Sequence, residues 1–202
     1  MSVSLQKGQK VNLSKDNAGL SKIMIGLGWD EVQRKKRGLF APKPAEIDCD
    51  ASALLLSGGK VMRKEDLVFF GNLRHDSGAV LHMGDNLTGA GDGDDEQIAV
   101  DLAQVPARYD RIVIVVNIYQ AVERRQHFGM IQNAFIRLVD CRNNNEMCKY
   151  DLTEDYSGMT AMIFGEVYRH NGEWKFNALG PGTTARRSGE WANRYDEGEC
   201  GC

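Results

Sequence analysis

Arg111-Ile112-Val113-Ile114-Val115-Val116-Asn117-Ile118-Tyr119 decides the fold. The β-branched residues Ile112 to Val116 lose rotamer freedom in a helix but stand easily on a pleated strand. Apolar residues occupy both faces of that strand, so it reads as central and buried on each side. Downstream, Ala134 to Val139, Lys149 to Leu152, Ala161 to Tyr168 and Glu173 to Ala178 read as further short strands. The last two are joined by His170-Asn171-Gly172, and Asn-Gly is the signature of a tight primed turn. Upstream, the strand-like runs are Ile98 to Leu102, Val80 to Met83, Leu67 to Phe70, Ile47 to Leu56 and Ile23 to Leu27. Val3, Leu5, Val11 and Leu13 alternate with polar residues around Lys7-Gly8-Gln9, which predicts an N-terminal hairpin.

Helical signals are few. Leu102 to Val105 ends at Pro106, and His127 to Gln132 offers about one and a half turns. Many short strands separated by turn residues predict a mainly β protein, an antiparallel β-sandwich with a few short helices. Val32 to Ala45, basic and carrying Pro42 and Pro44, reads as an exposed loop. After Pro181 the composition shifts to Gly, Ser, Arg and Glu. The expected organisation is a sandwich domain over 1–180 and a tail over 181–202, helical in part over 190–195.

Composition narrows the function classes. The chain has 202 residues, 42% of them hydrophobic, enough for a real core. The longest aliphatic run is Ile112 to Val116, too short to span a bilayer, and the first residues carry no secretory h-region. Five cysteines without a CxxC pair and four scattered histidines argue against a disulfide framework and a structural zinc site. A cytoplasmic protein is expected, with Cys200 and Cys202 in a disordered end. Arg34-Lys35-Lys36-Arg37 has no interleaved aromatic residue and reads as a solvated loop, so no nucleic-acid partner is expected. No nucleophile elbow or HExxH motif is present.

Charge is distributed unevenly. Between Asp76 and Ala107 there is no Lys or Arg, while Asp76, Asp85, Asp92, Asp94, Asp95, Glu96 and Asp101 supply seven negative charges. The whole chain carries only −3, so the remainder is basic by +4. Gly84-Asp85-Asn86-Leu87-Thr88-Gly89-Ala90-Gly91-Asp92-Gly93-Asp94-Asp95-Glu96 concentrates these acids among four glycines. Like charge so concentrated destabilises a packed domain unless it is neutralised. Oxygen ligands on a glycine-permissive loop suit Ca²⁺. A phosphate cradle is disfavoured by the same charge. An EF-hand starting at Asp85 would put Leu87, Gly89 and Ala90 at its third, fifth and sixth positions, and is rejected.

Asp48 and Asp50 flank Cys49 in the strand Ile47 to Leu56, so strand parity puts both carboxylates on one face and Cys49 on the other. No Lys or Arg is spaced to pair with them locally. The economical account is that this face meets the acidic loop and shares its cations.

Gly26-Leu27-Gly28-Trp29-Asp30, Ile47-Asp48-Cys49-Asp50-Ala51-Ser52 and the acidic loop resemble the TerD family of tellurite-resistance and stress proteins. Asn133-Ala134-Phe135-Ile136-Arg137, Tyr150-Asp151-Leu152 and Ala161 through Arg169 continue the match, which covers Ser2 to Leu179. The resemblance implies a bacterial β-sandwich binding two Ca²⁺ ions without known catalysis. It also implies work with cytoplasmic and membrane-anchored tellurite-resistance partners against tellurite, phage and envelope stress, placing the protein at most peripherally at the inner membrane. Carried over by position, the metal ligands are Asp48, Asp50, Asp85, Asn86, Asp92, Asp94, Asp95 and Glu96, with Asp30 and Asp66 added as strand-end acids near the same rim. Cys49 stands where the family has Leu between two aspartates, and it should face the core. Segment 31–45 and the tail are poorly covered.

The expected function is therefore non-enzymatic: Ca²⁺ orders the acidic loops and changes the surface offered to partners. Two alternatives stand beside it. One is a two-metal Mg²⁺ or Mn²⁺ phosphohydrolase, disfavoured because no Lys or Arg lies near the acids in sequence. The other is a structural subunit that self-associates.

Overall fold

Residues 2–31, 47–84 and 93–184 are described by a computed structural model. The strands are β1 (Val3–Leu5), β2 (Lys10–Asn12), β3 (Lys22–Glu31), β4 (Cys49–Leu56), β5 (Leu67–Val68), β6 (Val80–His82), β7 (Glu96–Asp101), β8 (Arg111–Ile118), β9 (Ile131–Asp140), β10 (Asn145–Asp151), β11 (Ala161–His170), β12 (Glu173–Ala178) and β13 (Gly182–Thr183). Two one-turn helices, α1 (Leu13–Asp16) and α2 (Ala121–Arg124), complete the set with two 3-10 turns. One sheet has the order β1-β10-β9-β3-β7-β6 and the other β2-β12-β11-β8-β4-β5, with β13 added beside β11. Only the β1–β10 pair is parallel among the described strands.

Strand β8 lies between β11 and β4, and its two faces explain its composition. Ile112, Ile114, Val116 and Ile118 point into the sandwich against Ile23, Ile25 and Ile98 of the first sheet. Val113 and Val115 form a second apolar layer on the outer face with Leu54, Leu56, Ala161 and Ile163. The antiparallel sandwich is as expected, and so is the β11–β12 turn, where Asn171 and Gly172 take φ of 54° and 78°.

Three local expectations are corrected. The N-terminal strands do not form a hairpin: β1 joins β10 in the first sheet and β2 joins β12 in the second. The Lys7-Gly8-Gln9 turn crosses between sheets because its backbone bonds to Ala178 (Gly8 N–H to Ala178 O 2.7 Å, Ala178 N–H to Gln9 O 3.0 Å). Alternation is the same for strands in one sheet or two, so periodicity could not separate them. Leu13 opens α1, capped by the Asn12 side chain accepting from Lys15 N–H at 2.9 Å. Residues 102–105 form turns, not a helix, since the Asp101 carboxylate takes the Ala103 N–H (3.2 Å) and the Gln104 amide (2.8 Å). At 127–132 a single 3-10 turn, Phe128–Met130, leads straight into β9. The basic loop at 32–45 and the helix expected over 190–195 lie outside the described residues.

Candidate functional site

The start of β4 and the start of β7 bring acids from both sheets to one end of the sandwich. Cys49 is fully buried on the inner face of β4, as its parity predicted. Its thiol is held well above its ordinary range, first by burial and then by the charges of Asp50, Asp48, Glu96 and Asp95. Four of the expected ligands therefore share one neighbourhood. Asp50 is buried and pairs in register with Asn117 of β8, whose amide Nδ2 lies 3.4 Å from the carboxylate. Asp48 precedes the strand, its carbonyl accepting from Tyr119 N–H at 2.7 Å.

Asp94, Asp95 and Glu96 diverge although they are consecutive. Glu96 is buried at the interior end of β7, with Oε2 2.9 Å from His82 Nε2. Asp95 is fixed by its own backbone, its N–H donating to Leu27 O at 2.7 Å and its carboxylate accepting the Trp29 N–H at 2.8 Å. Burial raises the pKa of Asp95, the Trp29 bond opposes this, and the charges of Asp30, Asp94 and Glu96 add to the rise. Asp94 faces the outer surface of the first sheet, where Arg137 of β9 grips both oxygens (Nε 2.7 Å, Nη2 3.1 Å) and Gln97 adds a bond at 3.1 Å. A Cβ at Gly26 would overlap the Asp94 carboxylate, which gives the Gly-Leu-Gly segment a physical reason.

Asp30 sits at the rim of the same end, accepting from Asn133 Nδ2 at 2.7 Å, and a cleft of about 710 Å³ runs between it, Asp95 and Phe135. Asp66 is elsewhere. It follows β4 toward its Leu56 end, roughly 17 Å along the strand from Asp50. There its buried carboxylate takes bonds from Tyr109 (2.6 Å) and Arg63 (3.1 Å), so the expectation that it shares the rim is corrected. Asp85, Asn86 and Asp92 lie outside the described residues. Asp151, Glu154 and Asp155 are bound by Lys149 (2.9 Å), Lys7 (2.7 Å) and the Ser157 N–H (2.9 Å) respectively.

The absence of basic residues near the acids holds only along the chain. Arg137 reaches Asp94, and Arg124 lies 4.0 Å from Asp48 while stacking over Tyr119. Both come from other elements, so spacing could not reveal them. His82 and Asn117 were missed for the same reason.

The model of the TerD domain matches residues 1–193. The chain belongs to the TerD family. It is 52% identical over 199 residues to stress response protein SCP2 of Bacillus subtilis (strain 168), covering 96% of this chain and all of that one. It is 51% identical over 183 residues to tellurium resistance protein TerD of Serratia marcescens, covering 90% and 91% of the two chains. A crystal structure of a homologue of telluride resistance protein (TerD) from Streptomyces coelicolor A3(2) superposes with a TM-score of 0.65 at 20% identity, over 86% of this chain and 96% of that one. That structure agrees on the fold.

The calcium that TerD membership implies can be tested against the donors. Among the described residues no three His, Cys, Asp or Glu side chains converge tightly enough to hold a metal alone. The donor chemistry fits all the same: Asp48, Asp50, Asp95 and Glu96 offer only carboxylate oxygens, the ligand type of a hard cation. No described helix is long and apolar enough to cross a membrane.

Proposed function

We propose that this TerD-family chain is a calcium-binding stress-response protein, working in tellurium resistance or a related stress as the names of its relatives suggest. One observation carries the reading. Carboxylates from both sheets meet at one end around the buried Cys49, where His82, beside Glu96, also reaches the Ala51 carbonyl of β4. In this reading Asp48, Asp50, Asp95 and Glu96 bind the metal together with Asp85, Asn86 and Asp92, Asp30 stands at the rim, and two ions are held. The bound metal quenches repulsion between the sheets and fixes the end of the sandwich from which the acidic segment departs. The surface so fixed is what other tellurite-resistance proteins would meet, including membrane-anchored ones. The protein works by binding, without turnover.

The test is calorimetric titration of metal-stripped protein with Ca²⁺ and Mg²⁺, with a phosphoester assay in Mg²⁺ and Mn²⁺ alongside. Saturable calcium uptake without turnover is expected. No uptake at millimolar calcium rejects the reading, and metal-dependent hydrolysis would favour the phosphohydrolase.

A further inference from the structure

We infer that Arg137 is a positioning residue for the metal site and that Asp94 serves the clamp, not the metal. This rests on the calcium reading above. Asp94, Asp95 and Glu96 occupy consecutive positions, yet their carboxylates point to three different environments: Arg137, the Trp29 amide and the His82 side. Asp94 has both oxygens bound by the guanidinium fork and a third bond from Gln97, and its side chain is 2% exposed. Glu146 lies 3.5 Å behind Arg137 and holds the fork from its other side. The seat beneath is Gly26, in register with both Arg137 and Gln97, where any side chain would displace the carboxylate.

A bidentate, charge-assisted pair on a shaped seat fixes direction as well as distance. With Asp94 pinned outward, chain geometry leaves Asp95 over Leu27 and turns Glu96 inward, where these two acids share the neighbourhood of Cys49. The clamp thus anchors the returning stem of the acidic segment without contributing an oxygen to the ion.

Two readings of Arg137 differ in sign. If the guanidinium merely competes with the cation for Asp94, removing its positive charge tightens calcium binding. If it positions Asp95 and Glu96, removing it weakens binding. The experiment measures calcium affinity of Arg137→Gln, Arg137→Lys and Gly26→Ala by calorimetry, and amide exchange at Asp95 in the metal-free proteins.

All three variants are expected to weaken calcium by about tenfold or more, Arg137→Lys included, because it keeps the charge and loses the fork. Asp95 exchange should quicken in each, because its bond to Leu27 O depends on the clamp. Tighter or unchanged affinity in Arg137→Gln overturns the inference, and so does unaltered exchange at Asp95. Should Arg137→Gln not fold, Gly26→Ala and Asp94→Asn carry the same measurements. Wild-type protein that takes up no calcium defeats the functional reading instead, and the exchange data then still decide for or against the clamp.

Discussion

His82 ties both stems of the acidic segment to the opposite sheet. Its Nε2 lies 2.9 Å from Glu96 Oε2 and 3.2 Å from the Ala51 carbonyl of β4, while its Nδ1 accepts the Gly84 N–H at 3.2 Å. Because Gly84 donates to Nδ1, the ring proton sits on Nε2, where the Ala51 carbonyl accepts it and Glu96 lies alongside. The ring is 2% exposed, so nothing replaces these bonds with water.

His82→Ala should therefore cost about 2–4 kcal/mol of stability in metal-free protein, from lost hydrogen bonds and the cavity left behind. Urea unfolding in EDTA measures it. A change below half a kcal/mol would show that the ring is incidental to the joint between the sheets.

Asp66 offers the opposite case, an acid that holds the fold and should leave calcium alone. Burial pushes its pKa up, but bonds from Tyr109, His75 and Arg63 outweigh that and leave it lowered. Its ionised form is thus favoured by folding. That contribution is complete above the ordinary aspartate range and is lost as pH falls through the lowered folded value. Asp66→Asn should cost about 1–3 kcal/mol at neutral pH, with the gap to wild type closing in acid, and should leave the calcium dissociation constant unchanged. Paired urea titrations at neutral and acid pH, with calorimetry, separate this from a ligand role.

How far the chain could be read depended on the range of each interaction. Ile112 to Val116 announces a two-sided strand because burial on both faces is written in consecutive residues, and Asn171-Gly172 announces its turn because the φ values are local. Cys49 was placed on the inner face by parity alone. The N-terminal crossover was hidden, since alternation does not say which sheet a strand joins. Asp66 was misplaced because its position depends on β5 pairing near the Leu56 end of β4. Arg137 lies 43 residues from Asp94, and only the β3–β9 and β3–β7 registers bring them to the same glycine. Acid clusters are legible in a sequence; their counter-charges, when supplied by other strands, are not.

The crowding at the end of β4 has a consequence of opposite sign with and without metal. Asp48 and Asp50 both press on the Cys49 site in company with Asp95 and Glu96, and Arg124 lies 4.0 Å from Asp48. Repulsion of this kind penalises the metal-free fold, and under the calcium reading proposed above the same charges would attract the ion. The double variant Asp48→Asn/Asp50→Asn should melt about 2–4 °C higher than wild type in EDTA, the shift expected from about 1 kcal/mol in a domain of this size. In saturating calcium the order should reverse. On that reading wild type should gain about 2.7 kcal/mol at one hundred times its dissociation constant, and the variant none. Differential scanning calorimetry in EDTA and in calcium reads both signs. A variant less stable than wild type in EDTA would mean that these two aspartates are held by protein donors and not poised for a cation.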